Sequence, residues 1–236
     1  MIYFVSDLHF GFLNRADDIK VEEKFIGLLN LITNGDTLVI VGDLFDYWFD
    51  YRKVIPAPFF NVLSALFKLS KSGAKIIYLI GNHDFGHYRF FRDELNIKPI
   101  ETDLSLEFYG KKFYLSHGDG KSYSDFGYKI IKKFLRNKFL QSLYRLIHPD
   151  LGIWLASGSS RKSRHYTETK DYGNRDGMKD FACKKIDEGY DYVIMGHRHK
   201  LCEFEYKNGK YINLGEWIKN PHYGIFDGKE FRMVKI

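Results

Sequence analysis

Short apolar runs that end abruptly in polar residues organise this chain. Leu38 to Val41 is fully aliphatic and stops at Gly42-Asp43. Ile2 to Val5 stops at Ser6-Asp7-Leu8-His9, and Ile76 to Ile80 at Gly81-Asn82-His83-Asp84. Phe113 to Leu115 runs into Ser116-His117-Gly118-Asp119, and Tyr192 to Met195 into Gly196-His197-Arg198-His199. Continuous apolar runs of this length predict parallel strands covered on both faces. In open α/β sheets ligands bind beyond the carboxyl ends of such strands. Five strand ends that each deliver Asp, Asn or His therefore predict one shared site.

Helical patterns separate the first three strands. Apolar positions from Asp17 to Leu31 have helical spacing, with Asp17 or Asp18 as N-cap. A second helix is expected from Pro56 to Ser72, ending at Gly73. The β-α-β-α-β order implies a parallel sheet with helices on its faces. Two hairpins follow: Leu104 to Tyr109 turning at Gly110-Lys111, and Leu201 to Tyr206 turning at Asn208-Gly209. They predict a second, more antiparallel sheet packed on the first.

Between the hairpins, Lys121 to Gly173 has little strand character. Tyr128 to Ile147 reads as a basic amphipathic helix, broken near Asn137, with Lys129, Lys132, Lys133, Arg136, Lys138 and Arg145 off its apolar face. The expected organisation is a core of residues 1–120 and 174–236 with a helical cap, 121–173, inserted into it.

Composition changes this picture little. The 236 residues are 44% hydrophobic and 28% charged, as in an ordinary globular chain large enough to fold without disulfides. Cys183 and Cys202 are too few for a disulfide framework. Met1 to Asp7 enters a strand with no basic or apolar leader. A cytoplasmic enzyme is the expectation. The net charge of +6 points to an acidic partner: nucleic acid, anionic lipid or a phosphorylated small molecule. No nucleic-acid-binding motif accompanies it.

The strand-end residues suit metal chemistry. Asp7 and His9, like His197 and His199, are two apart, so each pair can serve one ion from a loop. Carboxylate oxygens and imidazole nitrogens without thiolate suit Mn, Fe or Zn. Asp43 can bridge two ions, while Asn82 and His117 add an amide oxygen and a further nitrogen. A pair of divalent ions about 3.5–4 Å apart can clamp a phosphorus centre.

The blocks D-L-H, G-D-L-F-D, G-N-H-D, S-H-G-D and G-H-R-H, in this order, resemble those of the calcineurin-like metallophosphoesterases. The resemblance implies two packed mixed sheets flanked by helices, a four-layer α/β sandwich. It implies that Asp7, His9, Asp43 and His199 hold one metal, and Asp43, Asn82, His117 and His197 the other. Asn82 and His83 would carry catalysis, His83 touching the phosphate as electrophile or proton donor. A narrower resemblance lies in the cap. S-H-G-D-G-K-S-Y-S-D-F-G-Y-K and L-I-H-P-D-L-G-I-W-L-A-S-G-S-S-R-K-S-R are similar to segments of the UDP-2,3-diacylglucosamine hydrolases of lipid A synthesis. By that resemblance Asp125 contacts substrate, and Ser160, Arg161, Lys162 and Arg164 meet its phosphate or sugar. His83 stands where one branch of those enzymes has Arg. The implied reaction splits the pyrophosphate of UDP-2,3-diacylglucosamine into UMP and 2,3-diacylglucosamine 1-phosphate, with Mn2+ as the expected ion and an anionic membrane surface as a partner. A phosphoesterase for a soluble nucleotide is the rival reading, and a scaffold with a vestigial metal site a weaker one.

Overall fold

The computed structural model describes residues 1–121, 134–158 and 176–236. Strands β1 (Ile2–Val5), β2 (Thr37–Val41), β3 (Lys75–Leu79) and β4 (Pro99–Ile100) are parallel neighbours in a six-stranded sheet. Helices α1 (Arg15–Leu29) and α2 (Phe60–Lys71) form the crossovers, and the short α3 (Phe90–Asp93) precedes β4. A five-stranded sheet holds β5 (Leu104–Phe108), β6 (Lys111–Ser116), β7 (Tyr192–Met195), β8 (Leu201–Tyr206) and β9 (Gly209–Leu214), in the order β5-β6-β7-β9-β8. Helix α4 (Lys138–Tyr144) and helical residues 149–158 lie within the long connection after β6, and α5 (Gly177–Asp187) leads into β7.

Alternation within β2 shows why the layers form. Leu38 and Ile40 pack on one side with Phe25, Leu28, Leu63 and Leu66 of α1 and α2. Val39 and Val41 face the other way, with Phe113, Leu115, Ile194 and Ile212 of the second sheet. The far face of that sheet, through Tyr114, Val193 and Tyr211, is covered by Met178, Ala182 and Ile186 of α5. Each fully buried aliphatic chain contributes about 1.5–3 kcal/mol, so β2 alone ties three layers together. The result is the expected four-layer α/β sandwich of two mixed sheets.

Several expectations are corrected. The second sheet is evenly mixed: β6-β7 and β7-β9 are parallel and only the edge pairs are antiparallel. The final hairpin, β10 (His222–Phe226) and β11 (Phe231–Lys235), joins the first sheet beside β1. Neither Asp17 nor Asp18 caps α1. Asn14 does so, accepting from the Asp17 N–H, while Asp18 turns back to accept from Gly11 N at 2.9 Å. The expected second helix begins as a 3-10 turn, Ala57–Phe59. The first hairpin turns at Tyr109-Gly110, both with positive φ, because Phe108 pairs with Lys111. The second turns at Lys207-Asn208. Gly209 belongs to β9, where a Cβ would come within 2.7 Å of Ile186.

The basic helix is also revised. Residues 128–133 lie outside the described residues, and Asn137 does break the rest by capping α4. Two of its cations turn inward rather than to solvent. Arg136 donates to Gly81 O and Glu101 O, and Arg145 stacks on Phe49 and Tyr88 while donating to Asp50 O. Among the described residues no helix is long and apolar enough to cross a membrane.

Candidate metal centre

Parallel register brings the carboxyl ends of β1, β2 and β3 to one edge of the first sheet, and those of β6 and β7 to the same side of the second. The loops beyond them are stitched together by backbone bonds. Asp7 N donates to Gly42 O, His9 N to Asp43 O, and Gly196 N to His117 O. Three glycines permit the close approach. A Cβ on Gly42 would lie 2.3 Å from His117 Nδ1, one on Gly81 2.0 Å from Asp43 Oδ1, and one on Gly196 2.3 Å from Asp7 Oδ2.

Asp7, His9, Asp43, His197 and His199 all have left-handed backbone, with φ between 51° and 69°. Such residues cost on the order of 1 kcal/mol or more each and persist only where their surroundings over-determine them. Here the carboxylates do so: Asp7 accepts from His197 N at 3.0 and 3.1 Å, and Asp43 Oδ1 from His83 N at 2.9 Å.

The side chains converge in two adjoining groups. In the first, His9 Nε2 and His199 Nε2 are 3.1 Å apart, and Asp7 Oδ1 lies 3.8 and 3.4 Å from them. In the second, Asn82 Oδ1 is 2.9 Å from both His117 Nε2 and His197 Nδ1. Asp43 Oδ2 stands between them, 3.8 Å from His9 Nε2 and 3.2 Å from His117 Nε2. That oxygen is buried without a hydrogen-bond donor among the described residues. His117 Nδ1 is fixed on Val41 O at 2.9 Å; a carbonyl only accepts, so Nδ1 carries the hydrogen and Nε2 is the nitrogen turned to the centre. Imidazole nitrogens gathered around a buried carboxylate oxygen fit a centre of two divalent cations.

Protonation follows the same charges. Burial works against ionised Asp7, yet His199 and His9 hold its carboxyl well below the usual range. Burial likewise opposes ionised Asp43, but His117 and His83 overcome it. Burial would lower His117, while Asp43 pulls it up to about 10. His197 falls to about 4 through burial and the neighbouring His117 charge. Without metal, a proton on His117 stands in for the cation that the carboxylates require.

His83 lies at the edge of both groups, its ring 4.9 Å from that of His9 and its Nδ1 3.1 Å from Asp46 O. Asp46 Oδ1 is 3.6 Å from His9 Nδ1 and 3.8 Å from His83 Nδ1, so its charge lies beside both rings. Asp84 ties the loops together, accepting from Gly81 N, Leu44 N and the Tyr78 hydroxyl, and burial beside Asp43 raises it to about 6. Tyr78 escaped the sequence reading; a lone hydroxyl inside the apolar run Ile76 to Ile80 was its signal. Asp103 escaped too. It accepts from Ser116 Oγ at 2.7 Å, next to His117. His87 is half-buried, packed against Trp48 and Phe91. Asp125, Ser160, Arg161, Lys162 and Arg164 lie outside the described residues.

Known proteins are similar to this chain over most of its length. The UDP-2,3-diacylglucosamine hydrolase of Porphyromonas gingivalis is 32% identical, with 96% of this chain and 94% of that protein aligned. The protein of the same name from Pseudomonas fluorescens is 29% identical over 99% and 94%. Among solved structures, an archaeal phosphodiesterase aligns over 100% of this chain and 99% of its own, at 19% identity and a TM-score of 0.48. The sequence profile of the calcineurin-like phosphoesterases matches residues 1–201, a span that runs through all five strand ends and both donor groups. The chain belongs to the calcineurin-like phosphoesterase family.

Proposed function

We propose that this protein hydrolyses the pyrophosphate of UDP-2,3-diacylglucosamine to UMP and 2,3-diacylglucosamine 1-phosphate, a step of lipid A biosynthesis. The observation that carries the reaction class is Asp43 Oδ2, buried and undonated between two groups of imidazoles. The near-full-length similarity to hydrolases of that name supports the substrate.

Asp7, His9, Asp43 and His199 would hold one ion, and Asp43, Asn82, His117 and His197 the other. Mn2+ is the ion proposed; Fe and Zn suit the same donors. When bound, the two ions supply Lewis acidity and charge neutralisation at a phosphoryl group. The protein's own part is positioning. Asp43, held through Oδ1 by His83 N, keeps the two groups at a fixed separation. His83, its Nδ1 engaged by a carbonyl, acts on the phosphate through Nε2, as hydrogen-bond donor and as proton source for the leaving oxygen. Asp46 holds that ring through its carbonyl and sets its carboxylate charge beside His9.

Residues 121–173 form the proposed cap. Asp125, Ser160, Arg161, Lys162 and Arg164 are its proposed substrate contacts. Phe139, Leu146 and Trp154 supply apolar surface for two acyl chains and for an anionic inner-membrane face, from the cytoplasmic side. Each buried methylene contributes ~0.8 kcal/mol, so a diacylated substrate gains most of its binding there. Steady-state kinetics on UDP-2,3-diacylglucosamine and its deacylated counterpart test the reading. A strong preference in kcat/KM for the acylated compound is expected. Equal values would replace it with the soluble-nucleotide reading.

A further inference from the structure

Arg136 belongs to the helical connection, yet its guanidinium spans two core carbonyls. Nη1 donates to Glu101 O at 2.8 Å and Nη2 to Gly81 O at 2.9 Å. Gly81 O is half of the peptide unit that carries Asn82. The rest of that turn is already constrained. Gly81 N is bound to Asp84 Oδ1, and Gly81 has no room to move toward Asp43. Arg136 therefore holds the carbonyl edge of the peptide from which Asn82 reaches His117 and His197.

Among the described residues the first donor group has no such tie. Asp7 and His9 are held by core backbone, through Gly42 O and Asp43 O. Other contacts from residues 134–158 fall away from Asp7, His9 and His199: Lys138 pairs with Glu101, Arg145 meets Asp50 O, Phe49 and Tyr88, and Ser157 meets Tyr47.

We propose that Arg136 is a positioning residue through which the helical connection stabilises the metal site of Asn82, His117 and His197 selectively, leaving that of Asp7, His9 and His199 to the core. The inference rests on the two-metal reading above. Binding effects of this kind are reciprocal, so substrate held by the helices would tighten the same ion.

Calorimetric titration of metal-free protein with Mn2+ tests it. Arg136→Ala should weaken one of two binding events by roughly tenfold, the usual range for outer supports of a ligand. The other event and the thermal midpoint of the metal-free protein should not move. Arg136→Lys, which reaches one carbonyl only, should recover part of the loss. In an Asn82→Ala background the effect of Arg136→Ala should vanish. Equal weakening of both events, or unchanged affinities with a lowered midpoint, would overturn the proposal. Uptake of fewer than two ions by the unaltered chain would instead overturn the metal-centre reading and this inference with it.

Discussion

Asp7, His9, Asp43 and His117 are at most 3% exposed, whereas Phe139, Leu146 and Trp154 in residues 134–158 are 70%, 74% and 70% exposed. The two regions touch through Arg136, yet they keep opposite balances of chemistry. The metal loops bury charge and hold strained backbone; every group is fixed by a strand end, a glycine or a carbonyl. The helices leave large apolar side chains in solvent, a state that costs free energy unless something covers them. A buried polar centre must be complete before substrate arrives, because reorganising it would cost more than binding returns. An apolar surface has no directional bonds to set, so it can stay uncovered until the ligand comes.

The comparison predicts that damage to the loops removes chemistry, and damage to the helices removes affinity. The largest effect should come from Asp43→Ala, which deletes the oxygen shared by both donor groups. Turnover should fall to background and at least one ion should be lost. Elemental analysis giving two full equivalents would refute the bridge. His83→Ala should retain both ions and lose ~10²–10⁴ in kcat, the range for a positioned acid. Full activity at normal metal content would remove His83 from the catalytic groups.

A pH series sharpens the contrast without mutation. His117, raised to about 10 beside Asp43, carries a proton in the metal-free protein at neutral pH. A bound cation needs that nitrogen neutral, so binding expels the proton. Affinity should rise by roughly tenfold per unit between about pH 6 and 9. His197, at about 4, is already neutral there and adds no slope. A flat profile by calorimetry in two buffers would contradict the protonated His117. The smallest effect belongs to the helices. Leu146→Ser with Trp154→Ser should raise KM for the acylated substrate about tenfold, equivalent to roughly 1.4 kcal/mol of lost burial, with kcat held. Loss of kcat instead would mean that these side chains shape the centre.

Much of this was legible along the chain. Each strand-end motif is local, and parallel strands carry their carboxyl ends to one side wherever they pair, so Asp7, Asp43, Asn82, His117 and His197 were bound to meet once the strands were recognised. Short-range periodicity likewise set the first two helices and the break at Asn137. The sequence by itself determined that these polar side chains stand at strand ends, because they follow apolar runs whose burial leaves no other place for them.

Tertiary structure alone decided the rest. Left-handed φ at Asp7, His9, Asp43, His197 and His199 is imposed by bonds between loops far apart in sequence, and local propensity does not encode it. The placing of β10 and β11 beside β1 depended on which sheet edge stood open. Arg136 and Arg145 read as a solvated face, since helical spacing shows where a cation projects but not whether a carbonyl or an aromatic ring awaits it. Periodicity records which side of a helix is apolar; only the packed fold supplies the partner that turns a charged side chain inward.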